Sequence, residues 1–270
     1  MSGRLDGKVA IVTGAGTRMP GIGIGCAISQ VLARDGATVV LADRERENAE
    51  ATLRLIEDAG GTAVVVAADV SVEDDCANLV RSAVESLGGL DILVNNAGIS
   101  IHEPVTHTSQ ELFDRIIGVN LRGAFMCCKY AVPELIARGG GSIVNIGSIA
   151  ALRDTGGSHP AYAASKGGVH SMTIDIAGEY GRQNVRVNAV LPGMIRSPLQ
   201  EAVGGGSVPP ETMARLNMLG RMGDVWDIDN AVWMLCLPEA SYITGHILPI
   251  DGGATVALPP TWNRPDRTAR

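Results

Sequence analysis

Seven short β-rich runs recur along the chain: "KVAIVTG", "ATVVLAD", "TAVVVAAD", "DILVNNAG", "GSIVNIGS", "NVRVNAVLPG" and "HILPIDGG". Each is nearly continuously apolar, as expected of strands covered on both faces. Helix-length stretches separate them, such as residues 26–34, 46–59 and 73–87. In the last of these, Cys76, Leu79, Val80, Ala83, Val84 and Leu87 repeat at i, i+3, i+4 spacing, the signature of an amphipathic helix. Strand–helix alternation of this kind implies parallel pairing through right-handed crossovers. The expected architecture is α/β: a Rossmann-type, doubly wound parallel sheet of about seven strands with helices on both faces. No linker or break in composition divides residues 1–270, so one domain is expected.

Two segments leave the rhythm. Residues 198–221 join three consecutive glycines (Gly204, Gly205, Gly206) to a Pro-Pro pair and read as a mobile lid. Residues 254–270 are proline-rich and read as a C-terminal arm.

Composition excludes some roles. Aromatics are only 3% of a chain that is 46% hydrophobic, so its core must be aliphatic. A net charge of −7 argues against nucleic acid or acidic membranes as partners. Five cysteines without a C-x-x-C pair read as free thiols in a reducing compartment, and no metal site is expected. The N-terminus lacks a signal-peptide core, and no apolar run reaches the ~20 residues of a membrane helix. A cytoplasmic location is the expectation.

Open parallel sheets bind ligands at the carboxyl ends of their strands. Here those ends carry "TG", "AD", "AAD", "NNAG", "IGS" and "PG". After the first run comes "GAGTRMPGIGIG", a glycine loop spread wider than usual. Counting back from Gly36 places the helix-opening glycines at Gly23 and Gly25, with Ile22 and Ile24 beside them and Gly14 ending the strand. Gly14 would make the tight turn, Gly23 the close approach to a pyrophosphate, and Gly25 the packing at the helix start. Gly21 offers an alternative register. Asp43, ending the second run, can accept the adenosine ribose hydroxyls of NAD and repel a 2′-phosphate; capping the following helix is the lesser reading, and the two roles can coexist. Arg18 and Arg44 are the basic residues that could hold a 2′-phosphate, which keeps NADP as the less favoured cofactor. Asp69, with Val70 next to it, closes the third run and is expected to face adenine or to cap a helix starting near Val72.

"YAASK" places Tyr162 and Lys166 at i, i+4 on one helix face. A phenol with a pKa near 10 is a poor base at neutral pH, and an adjacent ammonium together with a cationic nicotinamide lowers that value. Ser148 lies at a strand end fourteen residues before Tyr162, and Asn120 interrupts an otherwise helical pattern.

With "TG…GIG", "NNAG", Asn120, Ser148, Tyr162, Lys166, "PGMIRS" and "YITGHILPIDGG", the chain resembles the short-chain dehydrogenase/reductase family over residues 5–253. The resemblance implies an oxidoreductase interconverting a secondary alcohol and a ketone. Tyr162 would be its acid/base, Ser148 the holder of the substrate oxygen, and Lys166 the group that lowers the tyrosine pKa and binds ribose. Asn120 would hold a water joining Lys166 to solvent. Asn96, Ala97 and Gly98 would run beside the adenosine ribose. Pro192, Gly193, Ile195 and Ser197 would line the nicotinamide, Ile195 through its backbone. The five residues added at positions 17–21, and Asp227 where relatives often carry glutamate, depart from the family pattern.

Candidate substrate-pocket residues are Ser100, Ile101, His102, Ala150, Leu152, Arg153, His159, Met194 and residues 199–218. The resemblance also implies a homotetramer, or a homodimer, built through the Tyr162 helix and the C-terminal strand. Alternatives are an NADPH-dependent ketone or 3-ketoacyl reductase and, outside enzymes, a dinucleotide-sensing binding protein. Such a protein typically loses the tyrosine or lysine kept here.

Overall fold

Each of the seven apolar runs forms a strand in the computed structural model, which describes residues 3–17, 21–198 and 210–256. The strands are β1 (Val9–Thr13), β2 (Thr38–Asp43), β3 (Thr62–Ala67), β4 (Ile92–Asn95), β5 (Gly141–Ile146), β6 (Val185–Pro192) and β7 (Ile247–Ile250). They form one sheet in the order β3-β2-β1-β4-β5-β6-β7, and every pair is parallel. The winding reverses between β1 and β4, and a crevice opens at the carboxyl end of such a reversal.

The long helices are α1 (Ile24–Arg34), α2 (Arg46–Asp58), α3 (Glu73–Leu87), α4 (Gln110–Ile117), α5 (Gly123–Ala137), α6 (Pro160–Tyr180) and α7 (Val225–Cys236). Successive strand residues serve opposite faces. Ala10 and Val12 join Ile28 and Leu32 of α1 and Ile228 and Val232 of α7 in one core. Ile11 joins Leu79 and Val80 of α3 and Leu135 of α5 in the other. Continuous apolarity meant burial on both faces only for the inner strands. The edge strands β3 and β7 stay partly exposed, and among the described residues no strand pairs with their outer sides. All five cysteines are buried and unpaired.

Of the segment expected to form a lid, the second half is described in contact with the rest of the domain. Residues 199–209, which include the three glycines, lie outside the described residues, as do Arg18 and residues 257–270. After a short helix, Pro210–Ala214, the chain docks firmly. The N–H groups of Met218 and Leu219 both donate to the Gly252 carbonyl, at 2.8 and 3.2 Å. Arg221 grips Asp227 through two nitrogens, at 2.7 and 2.9 Å. Asp227 also completes a reciprocal cap with Asp224 at the start of α7, a role that its short side chain suits. At the start of the expected arm, Ala254 is buried.

Candidate active site

The site begins where β1 meets β4. Thr13 Oγ1 accepts the backbone N–H groups of Asn96 and Ala97, each at 3.1 Å. Asn96 Nδ2 donates back to the carbonyls of Thr13 and Gly14, at 3.0 and 2.9 Å. The asparagine amide thus stitches two strand ends together. Gly14 turns at φ +63, where a side chain is strained, and a Cβ there would lie 2.8 Å from Ala97 Cα. A Cβ on Gly25 would lie 2.1 Å from the Gly14 carbonyl oxygen, so the helix start can pack against this turn only as glycine.

Gly23 is the N-cap of α1, which settles the register in its favour over Gly21. Among the described residues, a Cβ on Gly23 would meet nothing nearer than the Gly16 carbonyl oxygen, 3.8 Å away. Among the described residues no side chain caps α1, and its first turn carries no acid. An open cradle at a helix end with uncapped N–H groups fits the diphosphate of a dinucleotide. The added residues leave from Thr17, whose N–H donates to the Asn48 carbonyl at 3.1 Å and whose hydroxyl donates to the Gly21 carbonyl, closing the loop at its base. Gly21 itself packs against Pro198. Ile22 and Ile24 pack on the α1 core.

Asp43 is held from two sides: Oδ2 accepts the Gly16 N–H and Oδ1 accepts the Glu45 N–H, both at 3.0 Å. Its capping reading is corrected, because the N-cap of α2 is Glu45 and lacks a side-chain cap. Gly16 is a site residue that the glycine spacing did not single out. A Cβ there would come within 2.6 Å of Asp43 Oδ2, so only glycine lets this turn clasp the carboxylate. The signal was available: parallel register sets Thr13 beside Ala42, which brings the first glycine turn to the end of β2. Arg44 pairs with Glu45 at 3.1 Å. Asp69 lies two residues past β3 and does not close it; its Oδ1 accepts the Ser71 N–H and hydroxyl at 2.9 and 2.7 Å. Burial raises its pKa, but those bonds together with the charges of Arg44 and Arg115 prevail and lower it. Val70 is buried against Gly123.

At the end of β5, Ser148 opens a single 3₁₀ turn, its Oγ accepting the Ala150 N–H at 3.1 Å. Tyr162 and Lys166 lie on one face of α6, with Lys166 Nζ 5.8 Å from the tyrosine ring centre. Burial raises the Tyr162 pKa, opposed by a hydrogen bond with the Ser148 side chain. The expected lowering is therefore absent from the protein alone: burial of the phenol outweighs what its neighbours supply. Lys166 Nζ donates to the Ile146 carbonyl at 2.7 Å, and burial brings its pKa down to about 8.

Asn120 occupies a π-turn, Gly118–Arg122, between α4 and α5, a widening often found at functional sites. Its side chain is buried: Oδ1 accepts the Ile99 N–H at 2.8 Å, and Nδ2 donates to the Ile99 carbonyl and Ser165 Oγ at 2.9 and 3.0 Å. A Cβ on Gly98 would lie 3.4 Å from Asn120 Oδ1 and 3.5 Å from Lys166 Nζ, so this glycine leaves the space between them open. His170, one turn beyond Lys166, was missed although helical spacing puts it on the same face. It is buried with Nε2 unpartnered among the described residues, and burial, then the Lys166 charge, lowers its pKa to about 4.

Beyond β6, the Gly193 N–H donates to the Ile250 carbonyl at 3.0 Å, and a Cβ on Gly193 would strike Asp251. Pro192 ends β6, while Ile195 and Ser197 are buried. Ile195 pairs with Gly223 in a two-residue ladder whose Gly223 N–H bonds the Met194 carbonyl, not that of Ile195. On the substrate side, His159 meets Tyr162 edge-on at 5.6 Å and His102 at 4.8 Å between ring centres. A cavity of about 140 Å³ lies against the 3₁₀ turn that Ser148 opens, walled by Ile149, Arg153, Thr155, Met194, Leu216 and Ala254 among others.

A dinucleotide-type crevice with serine, tyrosine, lysine and asparagine grouped at its far end defines a nicotinamide-dependent oxidoreductase. The family model described as enoyl-(acyl carrier protein) reductase matches residues 21–255. The 3-oxoacyl-[acyl-carrier-protein] reductase of Thermotoga maritima is 36% identical over 94% of this chain and 100% of its own. The 2,5-dichloro-2,5-cyclohexadiene-1,4-diol dehydrogenase of Sphingobium indicum is 36% identical over 96% and 100%. A 7α-hydroxysteroid dehydrogenase solved with NADH and 7-oxo glycochenodeoxycholic acid superposes with a TM-score of 0.85 at 34% identity, covering 93% of this chain and 95% of that one. The chain belongs to the short-chain dehydrogenase/reductase family and is an oxidoreductase that acts on CH–OH groups.

Proposed function

We propose that the enzyme interconverts a small secondary alcohol and its ketone with NAD, with Tyr162 as the proton-transfer group. The observation that carries the reading is the grouping of Ser148, Tyr162, Lys166 and Asn120 beside the cradle at Gly23. In it, Ser148 holds the substrate oxygen and Tyr162 exchanges a proton with that oxygen. Lys166, tethered to the Ile146 carbonyl, presents an ammonium at the tyrosine ring. Asn120 fixes the Ile99 loop and Ser165 around that ammonium, on the route by which the proton leaves. Nicotinamide, when bound, supplies hydride transfer and a positive charge that favours the phenolate. Assay of secondary alcohols and ketones with each nicotinamide tests the reading; absence of turnover with all of them defeats it.

Preference for NAD over NADP rests on Asp43. The Gly16 turn fixes its carboxylate, and a phosphate brought against it meets Coulomb and desolvation costs. The NADP alternative is weaker because Arg44 is engaged with Glu45. The wild type is expected to favour NAD by kcat/KM, and Asp43→Ser to narrow the ratio by about tenfold or more, the scale of one charge-assisted contact. A wild-type preference for NADP would defeat the assignment.

Family resemblance and the small residues along α6 support a homotetramer or homodimer. Free thiols support a cytoplasmic site, and no helix among the described residues is long and apolar enough to cross a membrane.

A further inference from the structure

The cavity walled by Ile149, the residue after Ser148, carries a cation whose partners are not acids. Arg153 follows the 3₁₀ turn that Ser148 opens, and its N–H bonds the Ile149 carbonyl at 3.1 Å, so its position is tied to the catalytic serine. Its guanidinium donates through Nη1 to the Ala254 carbonyl and through Nε to the Asp154 carbonyl, the latter at 3.4 Å. Both acceptors are neutral, and no carboxylate among the described residues lies within ion-pair distance. Arg221 and Arg138 show the contrast, since each is matched to an aspartate. The carboxylate of Asp154 is turned to its own loop, its Oδ1 accepting the Gly156 N–H at 2.9 Å. A guanidinium has five donors in a planar fork, and these two contacts leave others unused.

The remaining walls fit a short carbon chain. Ile149, Met194, Leu216 and Ala254 are apolar, and about 140 Å³ is close to the ~150 Å³ cavity that holds one benzene. Because Ile149 adjoins Ser148 in the chain and is one of these walls, a substrate chain running from an oxygen on Ser148 into this space meets Arg153.

We propose that Arg153 is a specificity-determining residue that receives a carboxylate, making short oxo- and hydroxycarboxylates the preferred substrates. The inference rests on the alcohol–ketone reading and narrows it. Its test compares short oxo acids with their methyl esters, using wild type, Arg153→Met and Arg153→Lys with saturating nicotinamide. Wild type should favour the acid by at least about tenfold in kcat/KM, the scale of a charge-assisted hydrogen bond. Arg153→Met should erase that ratio through KM while ester turnover and nicotinamide affinity persist, and Arg153→Lys should restore part of it. Equal use of acid and ester by the wild type overturns the proposal without any variant and leaves the alcohol–ketone reading intact. A loss of acid and ester in equal measure on Arg153→Met also overturns it, showing that Arg153 serves only to tether Ala254. No turnover of any ketone or alcohol, with nicotinamide still bound, overturns the broader reading itself.

Discussion

Tyr162→Phe is expected to lower kcat by about 10³-fold while nicotinamide affinity stays within a few-fold. Loss of a positioned general acid/base costs ~10²–10⁴ in rate, and phenylalanine removes only the hydroxyl. The ring keeps its place, since its edge contact with His159 and its proximity to Lys166 do not involve that oxygen. Lys166→Ala should behave differently, depressing turnover and cofactor affinity together, because one side chain is assigned to both. The pH dependence carries further information. Burial raises the phenol's pKa in the free protein, so oxidation, which needs a proton acceptor, should accelerate with pH until cofactor charge and Lys166 have done their part. Steady-state kinetics with fluorescence titration of NADH decides the matter. Turnover by Tyr162→Phe near the wild-type rate would remove Tyr162 from the mechanism.

Much of this machinery was legible in the chain because it rests on local patterns. Seven apolar runs become seven strands, and residues 73–87 become α3 without a shift at either end, because periodicity and length leave one solution. Tyr162 and Lys166 are related by a helical turn, so their proximity follows from spacing alone. What escaped was set by contacts across the fold. Gly16 matters through Asp43, 27 positions away, and no local rule joins them. Asn120 was expected as an oddity within a helix, whereas the backbone widens into a π-turn around it, which propensity does not encode. The contacts of the lid segment escaped for a related reason. Glycines and prolines speak only for local freedom, while the docking of Met218 and Leu219 depends on the carbonyl of Gly252, contributed by the turn after β7. Burial at the sheet edges likewise depended on strand order, which the apolar runs do not state.

Asp229→Asn is expected to stabilise the enzyme above neutral pH, by up to about 4 kcal/mol if the whole pKa displacement is realised. Asp229 lies on the buried face of α7 and is 1% exposed, with Oδ1 unpartnered among the described residues. Burial raises its pKa to about 7; the Asn230 backbone and Arg34 oppose this, while Asp224 and Asp227 reinforce it. The sign follows from proton counting. Between the ordinary carboxylate value near 4 and about 7, the folded protein holds a proton that the unfolded chain has released. Stability from this group is therefore present at low pH and is lost as pH rises to about 7, beyond which the deficit is constant. His170 works in the opposite direction: its folded pKa of about 4 lies below the imidazole value near 6.5, so its contribution grows over that interval. The wild-type profile is thus a partial cancellation, and Lys166, with a folded value of about 8, adds rising stability from there towards 10.5. The substitution isolates one contribution. Asparagine keeps the shape and cannot ionise, so the difference in Tm between Asp229→Asn and wild type should widen from pH 5 to pH 7.5 and then level off. It should be small or negative at pH 5, where the aspartic acid is already neutral and the new amide hydrogens need acceptors. A difference independent of pH across that range would mean that Asp229 is ionised throughout, with its charge met by Arg34.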